Sequence, residues 1–141
     1  MINFQTEFEY RAYDEPERKR HYVAAGTSYG FDYYVINLGG SHPCAYVVLP
    51  KNHVFNGVHY EDIPVECHGG LTYCADELEG VEIEDGEYVV GWDYAHWGDF
   101  IAGMDIGGSG GFTPKKWTTA EIVDEVIAVC KQLRDLNDKE G

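Results

Sequence analysis

Positive charge is what this sequence has least of. Lys and Arg number 10 against 25 Asp and Glu, for a formal net charge of -15. Between His21 and Pro114 the only Lys or Arg is Lys51, whereas 14 Asp or Glu fall there. A surface of that sign repels a phosphate backbone, so direct nucleic-acid binding is not expected. It suits a basic protein partner or cations, although net charge argues first for solubility.

Other absences narrow the reading further. No run approaches the ~18 apolar residues of a membrane-spanning helix, so no membrane association is expected. The opening residues, Met1 to Glu7, have neither a basic nor an apolar region of the secretory type, and a cytoplasmic location is the expectation. Cys44, Cys67, Cys74 and Cys130 show no C-x-x-C spacing and are expected as free thiols. The run Gly107-Gly108-Ser109-Gly110-Gly111 is not followed by Gly-Lys-Ser/Thr, so it is no phosphate cradle; residues 103–117 read as a flexible Gly-rich loop. No internal repeat and no linker divides the chain. A length of 141 residues therefore suggests a single domain, 1–141.

What the chain does have is apolar and aromatic. Apolar residues make up 44%, with 11 Tyr, 6 Phe and 3 Trp, which is a folding composition. Residues 1–20 suggest a peripheral strand, with Phe4, Phe8, Tyr10 and Tyr13 interleaved with charges, then a turn and the basic run Arg18-Lys19-Arg20. Residues 31–38 and 44–49 are rich in aromatic and β-branched types and predict two strands of an antiparallel hairpin, apolar on both faces and central to a sheet. Residues 65–67 and 71–74 flank Gly69-Gly70, a turn or a place of close backbone approach. Residues 76–87 carry seven carboxylates and read as a solvated connection; residues 88–92 predict another strand. Thr118-x-x-Glu121 is a capping box opening a helix over 118–137, with Ile122, Val126, Val129, Cys130, Leu133 and Leu136 on one apolar stripe. The expected class is α+β, an antiparallel sheet with one long C-terminal helix packed on one face.

Two motifs concentrate the chemistry. The first is Val65-Glu66-Cys67-His68-Gly69-Gly70-Leu71-Thr72-Tyr73, and the second is Gly91-Trp92-Asp93-Tyr94-Ala95-His96-Trp97-Gly98-Asp99. The spacing Asp93-x-x-His96-x-x-Asp99 lines three polar groups along a helical turn or brings them round a tight loop. With His68 these groups can serve as general base and orienting acid, the catalytic candidates being His68, Asp93, His96 and Asp99. The same four side chains are candidate ligands for a divalent metal, which leaves the cofactor open. A third reading is structural: Trp92, Tyr94 and Trp97 surround these groups, which then form a satisfied polar network fixing a turn. A Cys44, His68, Asp93 hydrolase order is disfavoured because Cys44 begins a strand and lacks a helix N-terminus. A zinc-stabilised fold on His42, Cys44, Cys67, His68 and Cys74 lacks close ligand pairs.

Residues 44–99 also carry a resemblance. Ala45-Tyr46-Val47, Leu49-Pro50, His53, Gly57 and Tyr60, with His68-Gly69-Gly70-Leu71-Thr72-Tyr73 and Gly91-Trp92-Asp93-x-Ala95-His96-x-Gly98-Asp99, resemble a group of small bacteriophage and prophage proteins. The resemblance implies a phage-encoded protein in the bacterial host cytoplasm and a role in host takeover or defence evasion. It implies no particular reaction. Three functions remain as expectations. One is an acidic accessory protein inhibiting a host or defence component through its charged surface. Another is a small hydrolase or ligand-binding pocket, metal-assisted or not, on His68, Asp93, His96 and Asp99. The last is sequestration of a nucleotide signal, which requires cations such as Lys115 and Lys116 to reach the site. Whether the chain is an enzyme, and its oligomeric state, stay open at this point.

Overall fold

The computed structural model describes residues 21–38, 42–96, 98–99, 115 and 117–140. The strand and basic turn expected in 1–20, most of the Gly-rich segment 103–117, and Lys116 lie outside them.

Among the described residues five strands make one antiparallel sheet: β1 (His21–Ser28), β2 (Phe31–Leu38), β3 (His42–Leu49), β4 (Tyr73–Ala75) and β5 (Tyr88–Asp93). Their spatial order is β1-β2-β3-β5-β4. The chain then enters a helix, α1 (Thr119–Glu140), which packs across β1, β2 and β3. The class is the α+β arrangement expected, although the helix begins one residue later than predicted and runs to Glu140. Thr118 does form the capping box: its hydroxyl accepts the Glu121 N–H at 3.2 Å, and Glu121 Oε1 accepts the Thr118 N–H at 3.0 Å.

β1 has no counterpart in the sequence reading. Its Ala24-Ala25-Gly26 centre is poor in strand formers, and a register shift interrupts its pairing between Tyr22 and Ala24. The strand is held by a tight turn to β2 in which Tyr29 (φ 51) and Gly30 (φ 85) both take positive φ, as a type I′ hairpin requires. Gly26 faces Tyr33, and a Cβ there would come within 2.7 Å of the phenol oxygen.

The sheet buries both faces. On one side Val35, Ala45, Val47, Leu49, Val90 and Trp92 pack with Ile122, Val126, Val129, Cys130 and Leu133 of α1. All five helix residues are fully buried, so the stripe seen in the sequence is the contact face. On the other side Ile36, Tyr46, Val48 and Val89 pack with Leu78, and Val81 and Ile83 lie against that cluster. The 76–87 segment thus departs from the purely solvated connection expected. Asp76, Glu77, Glu82, Glu84 and Asp85 are exposed, while apolar residues between them roof the second face. β3, paired on both edges and buried along nearly its whole length, is the centre of the fold, as its sequence suggested.

The loop after β3 is fastened to the helix by His53. Its Nε2 donates to the Leu133 carbonyl at 3.0 Å, and Nδ1 accepts the Phe55 N–H at 3.1 Å. Only the neutral ring can make both bonds. Among the described residues no helix is long and apolar enough to cross a membrane.

Candidate functional site

β5 leaves the sheet at Asp93, and the chain then makes a tight loop rather than a helical turn. Asp93 Oδ1 accepts the Ala95 N–H at 3.1 Å, a local turn typical of Asp, and Oδ2 accepts the Thr72 hydroxyl at 3.0 Å. The Asp99 N–H then closes on the His96 carbonyl at 2.9 Å. This folding-back places Asp99 under the loop, where it is only 5% exposed.

A buried carboxylate needs donors, and among the described residues Asp99 has three. Oδ2 accepts from His68 Nε2 at 2.7 Å and from the His96 N–H at 3.0 Å; Oδ1 accepts from the Trp117 indole at 2.9 Å. The two sequence motifs therefore meet, through His68 and Asp99. Since a carboxylate only accepts, Nε2 carries a proton, and in the neutral tautomer this selects the lone pair lies on Nδ1.

His68 is held by rings as well. It stacks on Tyr94 with centroids 4.9 Å apart and planes 7° from parallel, and lies 4.8 Å from Trp117 and 5.3 Å from His96. Tyr94 is fully buried beneath it and donates its hydroxyl proton to Glu125 Oε1, while accepting from Trp92 Nε1 at 3.0 Å. Burial, and next the bond to Glu125, push the Tyr94 phenol well above its ordinary value. It stays a phenol.

His96 sits differently. Its Nε2 lies 3.3 Å from Asp93 Oδ1, but the approach is out of line for a hydrogen bond, and that nitrogen is buried with no aligned partner among the described residues. We read the pair as electrostatic proximity. The ring is pressed onto Gly69, whose φ of 70 suits glycine and where an added Cβ would overlap the imidazole. The close approach expected at Gly69-Gly70 is this contact.

The remaining sequence candidates fall outside the knot. Cys44 is buried in β3 opposite Asp93, while the His68 ring turns to Asp99, so no Cys44–His68–Asp93 relay forms. Burial first, and the Glu125 charge second, push the Cys67 thiol up to about 12, so it is no thiolate. Among the described residues no group of three or more His, Cys, Asp or Glu side chains is placed to hold a metal ion. In this arrangement Asp93, His96, Asp99 and His68 are not gathered round one shared point. Both Asp99 oxygens are taken by N–H donors, and His68 Nε2 faces Asp99 rather than a shared point. Lys115 does come close: its ammonium lies 4.0 Å from the Trp117 ring centroid and 2.8 Å from Glu121 Oε2.

The sequence does not assign Glu125, Trp117, Thr72 or His42 to this site, although Thr72 lies in the first motif and His42 figures only as a zinc ligand. Glu125 had a visible signal, a carboxylate three residues after Ile122 and one before Val126, beside the buried stripe. His42 is drawn in because β3 starts beside the end of β5. Burial lowers its pKa, opposed by the Asp93 and Asp99 charges and assisted by His96. His53 is likewise lowered, by burial first, against the bond to Leu133. Both rings bind a proton less readily folded than unfolded. As pH falls through 6.5 the unfolded chain takes up more protons, and stability declines until the folded rings also titrate. Thermal melts are therefore expected to show Tm dropping below pH 6.5, with a shallower drop in His53→Gln. Equal slopes in both proteins would show that His53 does not contribute.

Comparison with protein-family models, curated proteins and solved structures returned no match for this chain.

Proposed function

We propose that His68 is the working imidazole of a small-molecule site, with Asp99 as its orienting carboxylate and general base action at Nδ1 as its chemistry. The observation that carries this reading is the 2.7 Å bond from His68 Nε2 to a carboxylate that is itself buried and tied by Trp117 and His96. Such a carboxylate fixes the tautomer and stabilises the imidazolium that forms when Nδ1 takes a proton, an effect worth roughly 10²–10⁴ in rate for a positioned base. Asp93 and His96 form the neighbouring wall, with Thr72 holding Asp93. Asp93, Asp99 and Glu125 make the surroundings acidic, and Lys115 is already paired with Glu121, so the ligand class favoured is neutral or cationic. Acidic surroundings of this kind disfavour a nucleotide signal.

The test follows ligand binding through the protein's own signals. The His68 ring and Trp117 indole resonances are recorded by NMR while sugars, amino acids, nucleosides and polyamines are added, beside inorganic phosphate. Neutral or cationic compounds are expected to shift both, and His68→Ala and Asp99→Asn to remove the response. Phosphate as the sole binder, or an unchanged response in Asp99→Asn, would sink the reading.

A second reading has its own observation, the exposed carboxylates Asp76, Glu77, Glu82, Glu84 and Asp85 on the segment roofing the second sheet face. They would meet a host or defence protein with a basic surface, inside a bacterial host if the phage resemblance reflects origin. Affinity for such a partner should fall steeply with salt. Salt-insensitive binding counts against it.

A further inference from the structure

We infer that Glu125 is the positioning residue of His68, acting on its backbone and its ring together; the inference rests on reading His68 as the working imidazole. The two residues are 57 apart in sequence and belong to different elements. Glu125 Oε2 accepts the His68 N–H at 3.1 Å, which fixes where the residue leaves the chain. Glu125 Oε1 accepts the Tyr94 hydroxyl, and the Tyr94 ring is the flat surface on which the imidazole lies. One carboxylate thus sets both the origin and the plane of the side chain, while Asp99 sets its rotation.

A second clamp shows that this is more than attachment of the loop. Gln132, seven residues on and so on the same face of α1, holds Glu66 from both sides: its Oε1 accepts the Glu66 N–H at 2.8 Å and its amide donates to the Glu66 carbonyl at 2.9 Å. Gln132 secures the backbone and, through these bonds, touches no ring. Between Glu66 and the sheet the chain turns through Gly69 and Gly70, both at positive φ. The plane of the imidazole then comes from Tyr94, which Glu125 holds, and its rotation from Asp99.

Chemistry separates the two acceptor roles. A carboxylate can accept from both the amide and the phenol, whereas Gln at 125 has a single acceptor oxygen. The experiment is the ¹⁵N spectrum of the His68 ring in the full chain without ligand, in Glu125→Ala, Glu125→Gln, Tyr94→Phe and Gln132→Ala. In the wild type the two ring nitrogens should be well separated, as one fixed tautomer requires. Glu125→Ala is expected to collapse that separation toward the tautomer average. Glu125→Gln and Tyr94→Phe should move it part-way, and Gln132→Ala should leave it in place. Wild-type spectra in Glu125→Ala would overturn the inference, and so would an equal collapse in Gln132→Ala. Should Glu125→Ala fail to fold, Glu125→Gln decides, and an unchanged spectrum there overturns it. Because no ligand is present, this result stands apart from the ligand-response test of His68 itself.

Discussion

Asp99→Ala is expected to lower stability by about 3 kcal/mol and to remove ligand response altogether. The stability loss reflects what the side chain holds: an imidazole, a backbone N–H and an indole N–H, all directed at one buried carboxylate. Hydrogen bonds to a charged group contribute roughly 1.5–3 kcal/mol each and do not add in full, and a donor left buried without a partner costs about 1–3 kcal/mol. Part of the loss returns if water enters behind the missing carboxylate, which keeps the expectation below the full sum. Asp99→Asn keeps an acceptor of the same shape without the charge and should lose about half as much. Urea unfolding followed by far-UV circular dichroism measures both, with the slope m checked for constancy. A loss under about 1 kcal/mol in Asp99→Ala would mean that the loop is held elsewhere and that Asp99 is not its anchor.

Trp92→Ala should cost more still, about 3–5 kcal/mol, the usual range for emptying a large aromatic site in a core. Trp92 is 1% exposed, lies opposite Ala45 across the β3–β5 pairing, and faces the helix-covered side of the sheet. The small Ala45 offers nothing to fill the space, and strands paired on both edges cannot close inward. There is also a polar consequence: the indole donates to the Tyr94 hydroxyl, which passes its own proton to Glu125. Trp92→Phe refills much of the volume but removes that donor, so its expected cost is about 1–2 kcal/mol. Denaturant unfolding of the two variants separates the packing part from the polar part. If the Phe and Ala variants lost the same amount, volume would be irrelevant and the expectation wrong.

The sequence reading worked best where local pattern and tertiary environment agree. The helix was legible because its cap is a local chemical signature and its stripe repeats over several turns. β2, β3 and β5 were legible because strands buried on both faces are apolar throughout, with little polar alternation to mislead. β1 was not, since Ala24, Ala25 and Gly26 have little strand preference; it is a strand because a turn returns it against β2. In the acidic 76–87 segment the seven carboxylates hid Leu78, Val81 and Ile83, whose role is evident only against the second face of the sheet. At the site, the glycine beside His68 and the even spacing of Asp93, His96 and Asp99 marked the place. The pairing could not be read, because Asp93 and Asp99 are equivalent in sequence and only the loop decides which one is buried. Trp117 and Glu125 come from beyond residues 100–114, and no local pattern joins them to His68.

The strand order also fixes when the site can exist during folding. Among the described residues β4 pairs only with β5, and β5 in turn pairs with β3 from the far end of a long intervening segment, with Leu49 opposite Tyr88. Closing that segment has an entropic cost that hairpins such as β1–β2 and β2–β3 avoid. Until it closes, β4 has no edge to join, and the chain carrying His68 and Thr72 just before β4 has nowhere to rest. The His68–Asp99 contact further needs α1 in place to supply Glu125. An assembling chain is therefore expected to form its β1–β2–β3 hairpins before its imidazole–carboxylate pair.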